Sequence, residues 1–383
     1  MKAKTILVNF VTWPAVEHAV EGFQAAFAYQ QANPGCAVHL VLNSRTAVEL
    51  AQVCPWLSAT YTVDIPTEES PVSAELFEHI PRDWDYVVFD RRHSPNAYGE
   101  YRSQARRHFR AVIASDDVGG RSVPYDRDAR LRFSLPTENL VFARERVKAG
   151  EIHIGLMPAG AGSHRQYYPS VSSWMRIIEA LRERNPNATV QLFGKLDPAG
   201  HPNTTSIGRA DVDRLLETYD FCRDCFDLRL LDQLAVAQRC AVFVSPHTGF
   251  AFAVLAVGTP WLTISGGRWL EFFHVGVPFY SVVPNTKKYP AYDPDSFART
   301  VIDADGSEQI VSMCAQRLEE DLPELLDAAG SLIAGRWTFE ECMERYLRAR
   351  APFYDPPLRR WAILYARPMK LRLRRMARML QHW

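Results

Sequence analysis

Short apolar runs alternating with amphipathic segments set the rhythm of this chain. Thr5–Phe10, Ala37–Leu42, Ala59–Val63, Tyr86–Phe89 and Ala111–Ala114 are strand-length apolar stretches. Between them, Val16–Gln31 carries Ala19, Phe23, Ala26 and Phe27 on one side, the period of a helix with one buried face. Thr46–Val53 reads as a short helix and Tyr98–Phe109 as a basic one. Strand and helix in alternation predict a parallel, doubly wound sheet. The polar stretch Gly119–Pro136 reads as a loop leading to a linker, and a helix over Glu138–Ala149 is expected to close a first domain spanning 1–149.

The rhythm then restarts. Ile152–Met157 reads as a strand, Ser172–Arg184 as a helix with Trp174, Ile177, Ile178 and Leu181 on one face, and Thr189–Phe193 as the next strand. Leu230–Gln238 is expected to be helical. Cys240–Val244 reads as a buried strand, Ala251–Gly258 as a buried helix and Pro260–Ile264 as a further strand. Gly276–Pro294, rich in Pro, Tyr and Gly, is expected to be a loop, and Ser307–Leu326 and Thr338–Arg350 are expected to be helices. This gives a second α/β domain over 150–352.

Two strand-to-helix junctions carry the chemistry. At Ser245-Pro246-His247-Thr248-Gly249-Phe250, a helix begins where a strand ends, so backbone N–H groups without partners and the positive end of the helix dipole suit a phosphate. Gly249 admits close approach, and Thr248 suits a helix cap. The second junction, Pro158–Pro169, holds Gly162, Ser163, His164 and Arg165, again fit for an anion. It lacks the Gly-Lys-Ser/Thr of a Walker loop and the glycine spacing of a dinucleotide fingerprint. Lys195, ending its strand, is a further candidate for nucleotide or phosphate, and Glu271 for a ribose hydroxyl pair. Capping turns and surface charges are the plainer alternatives for these positions.

The order strand, Gly-rich loop, Tyr167-Tyr168-Pro169, helix, Leu192-Phe193-Gly194-Lys195, then Ser245 through Gly267 resembles the donor half of GT-B glycosyltransferases, with the heptosyltransferase-like group as the nearest flavour. The resemblance covers roughly residues 152–267 and is weaker before them. It implies an α/β fold of two Rossmann-like domains facing a cleft (GT-B), a nucleotide-diphosphate sugar held mainly by the second domain, inverting transfer without a metal or other cofactor, and a base in the first domain. Three departures stand out. His247 precedes Thr248-Gly249 where the family usually carries Asp. Phe252 occupies the place of a family histidine three residues beyond the glycine, and Gln166 that of a common lysine. A nucleotide-sugar epimerase or hydrolase on the same fold, or a relative that binds without turnover, remain the alternatives.

For the base, strand C-terminal ends are where open α/β sheets bind ligands. Glu17 and His18 follow the first strand, and Asp116 follows Ala111–Ala114. Asp90, Arg91, Arg92 and His93 follow another strand and suit a charged acceptor. Glu17 is otherwise a charge matched to a helix dipole. The triplets at Asp211/Asp213, Asp293/Asp295 and Asp303/Asp305 read as acidic loop positions rather than a metal site.

Composition narrows the setting. With 383 residues, 47% hydrophobic and 23% charged, the chain suits two globular domains. Neither an apolar span of membrane length nor a signal peptide is evident, so a cytoplasmic location is expected. Seven scattered cysteines suggest no disulfide framework, and Cys222/Cys225 reads as two ordinary residues in a helical or loop segment. Residues 356–383 carry eight of the 44 basic residues and no Asp or Glu, leaving 36 basic against 44 acidic elsewhere. Within this tail, 353–383, the stretch 368–383 spaces Met369, Leu373, Met376, Leu380 and Trp383 as one helix face. It suits an anionic membrane surface or an acidic face of the body. Nucleic-acid motifs are absent. The expected partners are a nucleotide-sugar donor and a glycan, lipid-linked or small-molecule acceptor.

Overall fold

The computed structural model describes residues 4–11, 14–65, 75–90, 99–116, 118–161, 165–196, 205–267, 275–292 and 299–350. The chain divides into two compact units, the first ending at Ser134 and the second beginning at Leu135.

The first unit contains β1 (Thr5–Asn9), α1 (Val16–Ala32), β2 (Ala37–Asn43), β3 (Ala59–Val63), β4 (Asp83–Phe89), α2 (Gly99–His108) and β5 (Arg110–Ser115). Its five strands are parallel, in the order β3-β2-β1-β4-β5. The central strands are continuous apolar runs because both faces are covered: Ile6, Leu7, Val8, Val87 and Val88 are fully buried. Burying each such side chain is worth about 1.5–3 kcal/mol. From β1 the chain winds outward to β3, then crosses back to β4. Strand order therefore reverses between β1 and β4.

The second unit contains α3 (Thr137–Arg146), β6 (His153–Leu156), α4 (Val171–Arg184), β7 (Thr189–Gly194), α5 (Arg209–Thr218), β8 (Cys222–Phe226), α6 (Leu230–Gln238), β9 (Val242–Pro246), α7 (Gly249–Ala256), β10 (Trp261–Ile264), β11 (Phe279–Val282), the hairpin β12 (Thr300–Ile302) and β13 (Glu308–Ile310), α8 (Ala315–Ile333) and α9 (Phe339–Arg350). Its main sheet is parallel, ordered β11-β10-β9-β6-β7-β8, and reverses between β6 and β9. A Cβ on Gly155 would come 2.6 Å from the ring of Phe243, so glycine lets that ring meet Phe193 across the sheet centre.

Four expectations need correction. The helix near 138–149 does not close the first unit. Asn139 of α3 donates to Asp232 of α6 at 2.7 Å in a buried pair, so α3 belongs to the second unit and the boundary falls at 134/135 rather than 149/150. Cys222 and Cys225 lie on edge strand β8, where the neighbouring strand supplies the hydrogen bonds that a local helix reading overlooks. Burial pushes their thiols up, to about 12 and about 11. Within the expected loop 276–294, Phe279–Val282 is a strand, because it pairs with β10. The expected helix from Ser307 begins instead at Ala315, with its N–H held by the Asp303 carboxylate at 2.9 Å, and β13 occupies the preceding residues.

Candidate functional site

In open α/β sheets, ligands settle outside the carboxyl ends of the strands where strand order reverses. Each unit has such a point.

In the second unit it lies between β6 and β9, and the two loops that follow those strands are the two junctions picked out by sequence. They touch. A Cβ on Gly160, after β6, would lie 3.2 Å from the carbonyl oxygen of His247 and 3.4 Å from Thr248 Cγ2. Any side chain here meets the Tyr168 hydroxyl first, at 2.9 Å, and then the His247 backbone, so glycine suits this position through close approach rather than torsion freedom. The β6 loop is fixed from behind. Trp174 Nε1 donates to Pro158 O at 2.8 Å, and Tyr168 OH donates to Ala161 O at 2.8 Å. Ser206 N–H donates to Gly160 O at 2.8 Å. Across the sheet, Thr205 ties in Lys195: its Oγ1 accepts the Lys195 N–H at 2.8 Å, and its own N–H donates to Lys195 O at 2.7 Å.

Thr248 is the N-cap of α7, its hydroxyl accepting the Ala251 N–H. Gly249 opens the helix. The Phe250 side chain turns inward against Phe193 and Phe243, so only its backbone belongs to the helix end. Phe252 is also a core residue, against Trp261, and its ring meets the His247 ring edge-on at 5.8 Å. The half-buried imidazole of His247 thus lies beside the side chain that stands where the resemblance expects a histidine.

Arg165 closes the same loop. Its Nη1 donates to Pro169 O at 2.7 Å and Tyr168 O at 3.3 Å. Burial lowers its pKa, opposed by the charges of Asp211, Tyr168 and Asp305, and the guanidinium stays cationic. Asp305 reaches the N-terminus of α4. Burial opposes its charge, but hydrogen bonds from Ser307, Ser172 and Ser170 pull its carboxyl down to about 2. Two of the acidic triplets have other roles: Asp211 and Asp213 lie in helix α5 rather than in a loop, with Asp213 paired with Arg209 at 2.5 Å, and Asp303 holds the start of α8; Asp293 and Asp295 lie outside the described residues. Among the described residues, no group of three His, Cys, Asp or Glu is arranged to hold a metal ion. Gly162, Ser163, His164, Glu271 and the tail lie outside the described residues.

In the first unit the reversal lies between β1 and β4. The Asp90 N–H donates to Asn9 O at 3.0 Å, and Tyr101 OH donates to the Asn9 side chain at 2.6 Å. Glu17 and His18 fall in the first turn of α1. His18 Nδ1 lies 3.4 Å from Glu21 Oε2, one helical turn on. Burial disfavours its charged form, yet the Glu21 hydrogen bond and the charges of Glu17, Glu21 and Asp90 outweigh this and raise its pKa. Sequence reasoning overlooked Glu21, although its i,i+3 spacing from His18 was a readable signal. Asp116 is set apart from these groups: it ends β5, the sheet edge, and is ion-paired with Arg106.

The architecture has counterparts among solved structures. A glycosyl transferase family 9 structure from Veillonella parvula DSM 2008 superposes with a TM-score of 0.55 at 12% identity, covering 87% of this chain and 98% of that one. The E. coli heptosyltransferase WaaC with ADP gives 0.50 at 13%, covering 85% and 99%. The fold is that of the GT-B glycosyltransferases. No family model and no curated protein matches the chain.

Proposed function

We propose that this protein is a glycosyltransferase that takes its sugar from a nucleotide-diphosphate donor. The contact of Gly160 with His247 and Thr248, beside the N-terminus of α7, carries this reading. A diphosphate seated there receives the helix-end N–H groups and dipole, with Thr248, Gly249 and the Phe250 backbone at its centre. His247 stands beside Phe252 and supplies the imidazole that the family pattern places one turn later. Arg165 and Lys195 add positive charge near the two neighbouring strand ends, and Gly162, Ser163, His164 and Glu271 complete the proposed donor set. These donors offset the negative charge that grows on the leaving diphosphate, a fixed-dipole form of transition-state stabilisation. The reaction is proposed to invert the anomeric centre and to need neither metal nor other cofactor.

His18 is the proposed base, and Glu21 orients it through Nδ1, leaving Nε2 for the acceptor hydroxyl. Glu17 raises the proton affinity of His18 rather than taking the proton itself. Asp116, held by Arg106, is the weaker candidate. The acceptor is proposed to be a glycan, a lipid-linked precursor or a small molecule. The tail 368–383 is proposed to lie on an anionic membrane surface from the cytoplasmic side.

The test is a thermal-shift series with ADP, UDP, GDP, TDP and CMP and their sugars. ADP comes first because the E. coli neighbour is solved with it. A ligand at 100 times its Kd adds about 2.7 kcal/mol of stability. One nucleotide diphosphate should raise Tm clearly, and the Arg165→Ala variant should lose more of the diphosphate effect than of the nucleoside effect. Flat melting curves with every nucleotide overturn the reading.

A further inference from the structure

The strands on either side of β9 are β6 and β10, so the loops that follow them flank the point where α7 begins. The hairpin β12–β13 and the residues just after it hold both loops. On one side, β13 packs against the turn Arg165–Tyr167 of the β6 loop. On the other, the fully buried Ser312 donates from Oγ to Gly266 O at 2.7 Å, and Met313 lies so close that a Cβ on Gly266 has no room. The two loops also meet through a ring contact. Tyr167 and Tyr292 stack at 4.7 Å, and the Tyr292 N–H donates to Gly266 O at 3.1 Å.

The hairpin turn explains the hold on the β6 side. Ile302 pairs with Glu308, and Gly306 takes a φ of +81°, the left-handed conformation that closes a three-residue hairpin loop. The Gly306 N–H donates to Asp303 O and the Asp303 N–H to Ser307 O, both at 2.9 Å. Ser307 donates to Asp305 Oδ1 from Oγ at 2.6 Å and from its N–H at 3.0 Å. Two carboxylates thus leave one rigid turn for two different helices. Asp303 takes the Ala315 N–H at the start of α8. Asp305 accepts from Ser170, the N-cap of α4, and from Ser172 in its first turn. Those helices pack on each other and are joined by Arg176 and Glu319 at 3.2 Å. Asp303 serves the start of α8 alone, whereas Asp305 holds the residues that end the β6 loop, next to Pro169, whose carbonyl receives Arg165.

We propose that the segment 303–313 sets the separation of the β6 and β10 loops, with Asp305 and Ser312 as positioning residues for the donor diphosphate, a role that rests on the seating of that diphosphate at α7. A seat made of fixed dipoles meets growing charge without rearranging, so it works only while its walls are held in place from behind. Neither residue has to touch the ligand.

The experiment is calorimetry of the full chain with ADP, UDP, GDP and TDP and with their nucleosides. Asp305→Ala should weaken the diphosphate that the wild type binds about 10-fold, the size of one lost charge-assisted hydrogen bond, and leave the nucleoside unchanged. Asp305→Asn keeps an acceptor oxygen for the serines and should fall between wild type and Asp305→Ala. Ser312→Ala should weaken the same diphosphate about 5-fold. Asp303→Ala, on the same turn, should lower Tm through the lost α8 contact and bind every ligand as the wild type does. Asp305 lies at an exposed tip, so its variants should fold. A wild type that binds no diphosphate ends the sugar-transfer reading and this proposal with it. A wild type that binds one, with Asp305→Ala equally tight or Asp303→Ala equally weakened, overturns the role of the hairpin alone.

Discussion

The two units share one topology and place opposite chemistry at the same point in it. Where the second sheet reverses, the elements are backbone: glycine contact at Gly160, a capped helix end at Thr248, and loops tied down by Trp174, Tyr168 and Thr205. Where the first sheet reverses, the elements are ionisable side chains: His18, its Nδ1 3.4 Å from Glu21, with the charges of Glu21, Glu17 and Asp90 raising its pKa. Fixed dipoles suit a group whose charge must be met without rearrangement. A coupled imidazole and carboxylate suit a proton that must move. On the proposed reading, a shared fold leaves the division of labour to the residues at the strand ends.

The largest expected effect tests that division directly. His18→Ala should lower kcat by about 10²- to 10⁴-fold, the range for loss of a general base, while nucleotide affinity by calorimetry stays at the wild-type value. Equal losses in both would collapse the distinction between the two reversal points. Next comes Gly160→Val. Its Cβ meets the His247 carbonyl and the Tyr168 hydroxyl, which lies 2.9 Å away, and neither can withdraw freely. Overpacking of about 1–3 kcal/mol should lower Tm and weaken nucleotide binding about 5- to 150-fold. A variant that binds normally would show that the two loops do not form one seat.

Thr248→Ala should cost about 1 kcal/mol through the lost cap, seen in denaturant unfolding, with a matching loss of nucleotide affinity. Loss of stability alone would make Thr248 a cap and nothing more. The smallest effect sharpens the first unit. His18 has its pKa raised in the folded state, so its pairing with Glu21 stabilises the protein below the ordinary histidine value of about 6.5 and is lost as pH rises through the folded value. Glu21→Gln should lower stability by a few tenths of a kcal/mol at pH 6 and leave it unchanged at pH 9. It should also move the acidic limb of the rate profile to lower pH, because less proton affinity remains to be overcome. A limb that stays in place would remove Glu21 from the proton path.

Legibility followed where the physical signal was local. The runs Ile6–Val8 and Val242–Val244 announced central strands because a strand buried on both faces must be apolar throughout. The α4 stripe of Trp174, Ile177, Ile178 and Leu181 announced its buried face. Cys222–Phe226 hid because an edge strand with Arg223 and Asp224 reads as polar, and only its pairing with β7 makes it a strand. Phe279–Val282 hid for the same reason among prolines and tyrosines. Thr137–Arg146 was recognisable as a helix but not as a member of the second unit, since the Asn139–Asp232 bond spans 93 residues of sequence.

By itself, then, the sequence determined the alternation of strand and helix, the two-unit α/β class and the strand-to-helix turns that follow β6 and β9, because periodicity and helix caps act over a few residues. Tertiary structure alone decided that Gly160 lies against His247 and Thr248, that Phe250 and Phe252 face the core, that Asp116 is drawn to Arg106, and that β5 ends its sheet. Those outcomes depend on which strands become neighbours, and strand order is set by burial summed over the whole sheet rather than by any one segment.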